Sequence, residues 1–176
     1  MTGLYLEEFA PGQQWTSPGR TITETDVVNF AGLSGDYNPI HTDAEFCRGT
    51  PYGRRVVYGV LGMSVLTGLL DRIGVFIGTA VAMVKLTDWR FLAPVFIGDT
   101  VTFRMTVKTV RQTTDGSPGP VAVTCALLNQ DGRTVQQGVM VVLVRSDRSS
   151  AASDRPPSTT CATPSAEAGA GLIGAR

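Results

Sequence analysis

The segment Val56–Ile73, VVYGVLGMSVLTGLLDRI, is apolar on nearly every side and is interrupted by Gly59, Gly62, Ser64 and Gly68. A helix of that composition has no polar face to give to water, so it is expected to be buried all round. Its small residues let neighbouring backbone come close. Asp71 and Arg72 cut the run short of the roughly 18 to 20 apolar residues that a membrane span needs, which leaves a protein sheet as the partner that buries it.

Beyond this helix the period of the sequence changes from helical to alternating. Val101, Phe103, Met105 and Val107 interleave with Thr102, Arg104, Thr106 and Lys108, the pattern of a half-buried strand. Further strands are expected over Ala80–Leu86, Val121–Leu128 and Val135–Val144. Turn signals separate them at Asp115-Gly116-Ser117-Pro118-Gly119 and, as a tight hairpin, at Asp131-Gly132. A long buried helix followed by a run of antiparallel strands gives an α+β layout, a curved antiparallel sheet wrapped around a long central helix. That arrangement is the hot-dog fold.

A chain of 176 residues, 43% of them hydrophobic, holds enough apolar surface for one sizeable core, so a single domain is expected over residues 1–145. From residue 146 to 176 the sequence is rich in Ser, Ala, Pro, Thr and Gly, and a flexible tail without chemistry is expected there. Fifteen basic residues balance fifteen acidic ones, which points to neither nucleic acid nor an anionic membrane as partner. The N-terminal residues lack the basic flank and apolar run of a secretory signal, so a cytoplasmic protein is expected. Cys47, Cys125 and Cys161 are too scattered for a disulfide framework, and with one histidine in the chain no His-rich metal site is expected. Thr23 followed by Asp26 reads as a helix start, with Val27, Val28, Phe30, Ala31 and Leu33 as its apolar face.

The segment GLSGDYNPIH ends on that single histidine, His41. Gly35 frees the backbone to turn, Asp36 follows, and Asn38-Pro39 imposes an extended or turn conformation before His41. A carboxylate and an imidazole on one constrained loop can converge on a single water. Adding water to a conjugated double bond asks for such a pair, one group to take a proton from the water and the other to supply one to the α-carbon. The same residues would also make a plain turn, and a lone histidine can serve structure alone.

GLSGDYNPIHTDAEF resembles the signature of the MaoC-like dehydratases and R-specific enoyl-CoA hydratases, through Gly35, Asp36, Asn38, Pro39, His41, Asp43 and Phe46. VVYGVLGMSVLTGLL is similar to that family's central helix and FLAPVFIGDTV to its strand start, so the likeness runs over roughly residues 18–145. The resemblance implies interconversion of trans-2-enoyl and (R)-3-hydroxyacyl thioesters, carried on coenzyme A or an acyl carrier protein. It implies that Asp36 accepts a proton from the catalytic water, that His41 exchanges one with C2, and that Asn38 orders the loop and the water. It also gives the backbone N–H of Gly59 to the thioester carbonyl, although close packing of helix on sheet explains that glycine equally well. A homodimer is implied, with no metal or cofactor beyond the carrier that forms part of the substrate. Hydrolysis of an acyl thioester, and a non-catalytic acyl-binding subunit, are the competing readings.

The chain departs from the family at three places. Tyr58 stands where a histidine is common, and it could narrow the acyl pocket, offer a hydroxyl to a polar substrate, or pack. Cys47 replaces a smaller residue and is read as buried rather than nucleophilic. Arg54-Arg55 is unusual, and is read as solvated surface charge in preference to a contact for a coenzyme A phosphate. Ser64 and Thr67 are assigned to core packing, and Pro94 with Gly98-Asp99 to a turn before the next strand.

Overall fold

The computed structural model describes residues 3–147. A 3-10 turn at Leu6–Glu8 precedes the short strands β1 (Gln14–Thr16) and β2 (Arg20–Thr21). Three helices follow, α1 (Glu24–Ser34), α2 (Pro39–Thr42) and α3 (Ala44–Arg48), and then the long α4 (Gly59–Ile73). Four long strands complete the chain: β3 (Ala80–Phe91), β4 (Thr100–Val110), β5 (Gly119–Leu128) and β6 (Thr134–Val144). Together with β1 and β2 they form a 6-stranded antiparallel sheet of order β1-β4-β5-β6-β3, with β2 also paired to β4.

The expected alternation is realised in β4, where Val101, Phe103, Met105 and Val107 are buried. Across the ladders Met105 faces Cys125 and Val123 faces Met140, so the inward residues of three strands form one apolar surface. Leu61, Val65, Leu66 and Leu69 of α4 lie in the same core cluster. Thr23 caps α1 as expected, accepting from the Asp26 N–H while the Asp26 carboxylate accepts from the Thr23 N–H. Of the apolar face assigned to α1, however, only Val27 and Ala31 are buried, and Val28 and Leu33 are exposed.

Two features of the central helix differ from expectation. It begins at Gly59 rather than Val56, because Val56 and Val57 are extended: Val56 bridges Phe96, and the Val57 N–H donates to the Val95 carbonyl at 2.8 Å. Consecutive β-branched residues fit that pairing better than a first helical turn. The helix is also buried on one face only. Val60 (58% exposed), Ser64 and Thr67 face out in the single chain, and the two hydroxyls bond back to their own helix at Val60 and Ser64 carbonyls, so neither packs in the core.

Strand β3 is an edge strand, longer than expected, and irregular. Its pairing with β6 shifts register between Thr87 and Arg90, where Asp88 takes a left-handed φ of 53°. Such a bulge re-aims the next side chain. Trp89 is thereby packed against Gly138, where an added Cβ would sit 2.4 Å from the indole ring.

The tail expected from residue 146 lies outside the described residues except for its first two, and those belong with the domain. Ser146 is buried and donates to the Glu7 carboxylate at 2.5 Å, and the Asp147 N–H donates to the same carboxylate at 3.0 Å.

Gly138→Ala should destabilise the protein even though alanine is ordinarily the better strand residue. Overpacking against Trp89 costs about 1–3 kcal/mol, more than the roughly 0.5–1 kcal/mol gained from a stiffer backbone. A lowered midpoint of denaturant unfolding with an unchanged slope is the expected reading.

Candidate active site

His41 does not stand on an irregular loop. Pro39 opens the one-turn helix α2, and Asn38, extended as the residue before a proline must be, caps it by accepting the Ile40 N–H at 3.1 Å. Asn38 thus ties down the start of the turn that carries His41. Beneath this turn lies Cys47, fully buried, with its sulfur 3.3 Å from the Ile40 carbonyl and 3.5 Å from that of Pro39. It packs the loop from below, as its reading as a buried small residue implies.

The imidazole itself is held from two sides. Its Nδ1 lies 2.6 Å from the Val56 carbonyl oxygen. A carbonyl only accepts, so Nδ1 carries a hydrogen, and in the neutral ring Nε2 is the lone-pair base. The Tyr58 ring lies against the imidazole with centroids 3.8 Å apart and the planes tilted by 32°, and Phe30 lies against the tyrosine at 5.0 Å. The Tyr58 hydroxyl donates to the Asp36 carbonyl at 2.6 Å. Burial, followed by the charges of Asp36 and Tyr37, pushes the phenol up from its usual value, so it remains a donor.

Tyr58, a substrate-binding candidate from the sequence, takes in the single chain the packing role of the three open to it. The side chain is 3% exposed, its hydroxyl is committed, and it does not line the cavity described below. It joins the backbone that carries Asp36 to the face of His41.

A cavity of about 500 Å3 opens beside His41, bordered by Gly59, Tyr52, Phe91, Pro94 and Gln136. Its size is that of a small-molecule pocket. Pro94, expected only to shape a turn, is on its wall, whereas Gly98 and Asp99 do form a turn in which the Asp99 carboxylate accepts the Phe96 N–H. The start of α4 reaches the cavity through Gly59 and Val60, residues whose N–H groups have no acceptor within the helix. The packing account of Gly59 is seen directly: a Cβ there would lie 2.7 Å from the Phe91 ring, so only glycine lets the ring and the helix start meet.

Gln136 is a residue that the sequence reading missed. It is 2% exposed, donates to the Gly59 carbonyl at 3.0 Å, and accepts from the Trp89 indole at 3.3 Å. A Cβ on Gly62 would lie 2.1 Å from its amide nitrogen, so that glycine leaves the space the amide occupies. Counting back by twos from the inward residues Val142 and Met140 reaches Gly138 and then Gln136, and a polar residue in that series was the available signal.

Asp36 and Asn38 do not line the cavity in the single chain. The Asp36 side chain is exposed, with Oδ1 accepting the Asn38 N–H at 3.1 Å. Arg54 and Arg55 are both engaged: Arg54 lies over the Phe96 ring at 3.7 Å, and Arg55 makes a two-pronged pair with Glu24 at 2.5 and 2.8 Å. Reading them as solvated surface charge therefore undercounts their contacts.

A curved sheet packed on one long helix, with a histidine and the helix start on a shared cavity, defines a hot-dog protein. A solved structure described as an (R)-hydratase from A. caviae superposes with a TM-score of 0.67 at 28% identity, covering 78% of this chain and 98% of that one. The model of the MaoC-like domain matches residues 8–125. The chain belongs to the MaoC-like dehydratase family, whose enzyme class is that of the hydro-lyases. Among curated relatives it is similar to Protein MaoC of Klebsiella aerogenes, 40% identical over 104 residues, which are 59% of this chain and 30% of that protein. The chain thus spans under a third of that longer relative. It is also 36% identical to the (R)-specific enoyl-CoA hydratase of Rhodospirillum rubrum, over 58% of this chain and 69% of that one.

Tyr58→Phe keeps the ring against His41 and removes the bond to the Asp36 carbonyl. The expected cost is about 0.5–1.5 kcal/mol of stability, since the freed carbonyl belongs to an exposed residue that water can reach. Faster amide exchange over residues 35–38, with the core unchanged, would locate the loss at the loop.

Proposed function

We propose that the chain interconverts a trans-2-enoyl thioester and its (R)-3-hydroxyacyl thioester, with coenzyme A or an acyl carrier protein as the carrier. The observation that carries this is His41, its Nδ1 tied to the Val56 carbonyl, on the same cavity wall as the open start of α4. In hydration, Asp36 takes a proton from the water whose oxygen bonds to C3, and His41 in its imidazolium form delivers the Nε2 proton to C2. In dehydration the neutral Nε2 takes the C2 proton while the protonated Asp36 returns one to the departing hydroxyl. The Asp36 Oδ2 makes no hydrogen bond among the described residues and is the atom offered to the water. Charge building on the thioester oxygen meets the Gly59 N–H and the positive end of α4. The R configuration follows the Rhodospirillum relative, named as an (R)-specific enoyl-CoA hydratase. No metal or redox group takes part.

The working form is a homodimer. Among the described residues strand β3 pairs only with β6, and Val81, Met83, Val84 and Leu86 are all exposed along it. With Val60 of α4 they make an open edge and an apolar stripe that a second copy would cover. Val84→Lys should shift sedimentation to the monomer, and a monomeric wild type would end this part of the proposal.

The direct test follows the enoyl absorbance of an enoyl-CoA with wild type, Asp36→Asn and His41→Gln. The wild type should consume the enoyl group without releasing free thiol, and each folded variant should be slower by about 100-fold to 10,000-fold. Release of thiol with the enoyl group intact would make the chain a thioesterase. Wild-type rates in both variants would remove Asp36 and His41 from the mechanism.

A further inference from the structure

A second cleft, of about 300 Å3, lies on the far side of the Val56–Phe96 bridge from His41, and its wall carries Arg48, Arg54 and Arg55 with Glu24 as the carboxylate. Arg55 is taken by Glu24. Arg48 pairs with Glu45 at a site where both side chains are more than 70% exposed, at 72% and 75%, an arrangement of little strength in water. Arg54 meets no carboxylate at ion-pair distance among the described residues. Its guanidinium is instead steadied by the face of Phe96, which leaves its N–H edges without an anionic partner.

The cleft adjoins the cavity of His41 along the chain. Arg54 and Arg55 line one and Val56 and Val57 the other, and on the facing segment Val95 lines the first cavity and Ile97 the second. Arg54 and Val57 are three residues apart, so at most roughly 10 Å of chain separates them, at about 3.3 Å per residue. A pantetheine arm is longer than that, so a thioester beside His41 can place the phosphate at the end of its arm among the arginines.

We propose that this arginine cleft is the site for the phosphate of the substrate's carrier arm, with Arg54 as the residue that binds it and Arg48 in support. The assignment rests on the thioester reading above. A phosphate suits the cleft better than a single carboxylate, because guanidinium groups recognise its oxygens through paired, charge-assisted hydrogen bonds. The phosphate can belong to coenzyme A or to the phosphopantetheine of a carrier protein.

The test compares crotonyl thioesters of coenzyme A, phosphopantetheine and pantetheine, the last lacking phosphate. Arg54→Met keeps a stem on Phe96 and removes the charge. The expected result is a roughly tenfold rise in KM for the phosphorylated carriers, with kcat and the pantetheine ester unaffected. Arg48→Gln, on an exposed pair, should show the same selectivity more weakly and provides a second variant should the first fail to fold. A KM effect seen with coenzyme A alone assigns the site to its nucleotide phosphates, and one seen also with phosphopantetheine assigns it to the phosphate common to both carriers. An equal effect on all three esters, or none in either variant, overturns the proposal. Calorimetric binding of free coenzyme A needs no turnover: Arg54-dependent binding without hydration keeps the phosphate site and removes the hydratase reading, whereas hydration with Arg54-independent binding removes the site alone.

Discussion

The cavity depends on one buried amide. Gln136 sits on the inward face of β6, where its neighbours two and four residues along are a glycine and an apolar core residue, and it joins the indole of β3 to the first carbonyl of α4. An amide placed there without partners would carry a desolvation cost comparable to the loss of a hydrogen bond. It has both partners because three other choices in the sequence accommodate it. Asp88 bulges β3 so that Trp89 turns inward, Gly138 leaves room for the indole, and Gly62 leaves room for the amide. The sheet thus fixes where α4 begins, and with it where the Gly59 N–H stands.

The histidine is fixed by a different set of contacts. The Val56 carbonyl selects the tautomer, Tyr58 supports the ring, and Cys47 packs under the turn that carries it. Val56 and Tyr58 lie immediately before the helix start that Gln136 anchors. The few residues from Val56 to Gly59 therefore place the imidazole and the proposed oxyanion donor together, which is why the helix could not have begun at Val56. A valine carbonyl spent on an intrahelical bond would be aimed along the helix axis rather than at the imidazole.

Much of the fold was legible because it follows from period. The alternation in β4 is unbroken, the Thr23–Asp26 cap is local, and Gly59 marks a close approach, that of the Phe91 ring. What was not legible depended on partners distant in sequence. Val56 and Val57 look helical in their own window and are extended because residues 95 and 96 pair with them. Ser64 and Thr67 look like core residues and are exposed because one chain's sheet covers one face of α4. Of the site, His41 and Gly59 do meet on one cavity, while Asp36 is joined to it through the local Asn38 turn and through Tyr58, a contact 22 residues apart that no motif announces.

Strand β3 shows how the open and the organised parts of the molecule are coupled. Before Asp88 it is an edge, paired with β6 on one side, with apolar side chains on view; after Asp88 it supplies Trp89 to the buried amide and Phe91 to the cavity wall. An edge of this kind is a liability when left in water, because its free backbone groups accept any passing strand. A second copy of the chain on that edge would restrain the first half of β3, and the restraint would pass through the bulge to the residues that hold the start of α4. The apolar edge and the shape of the cavity are then two consequences of a single strand, divided by a single left-handed residue.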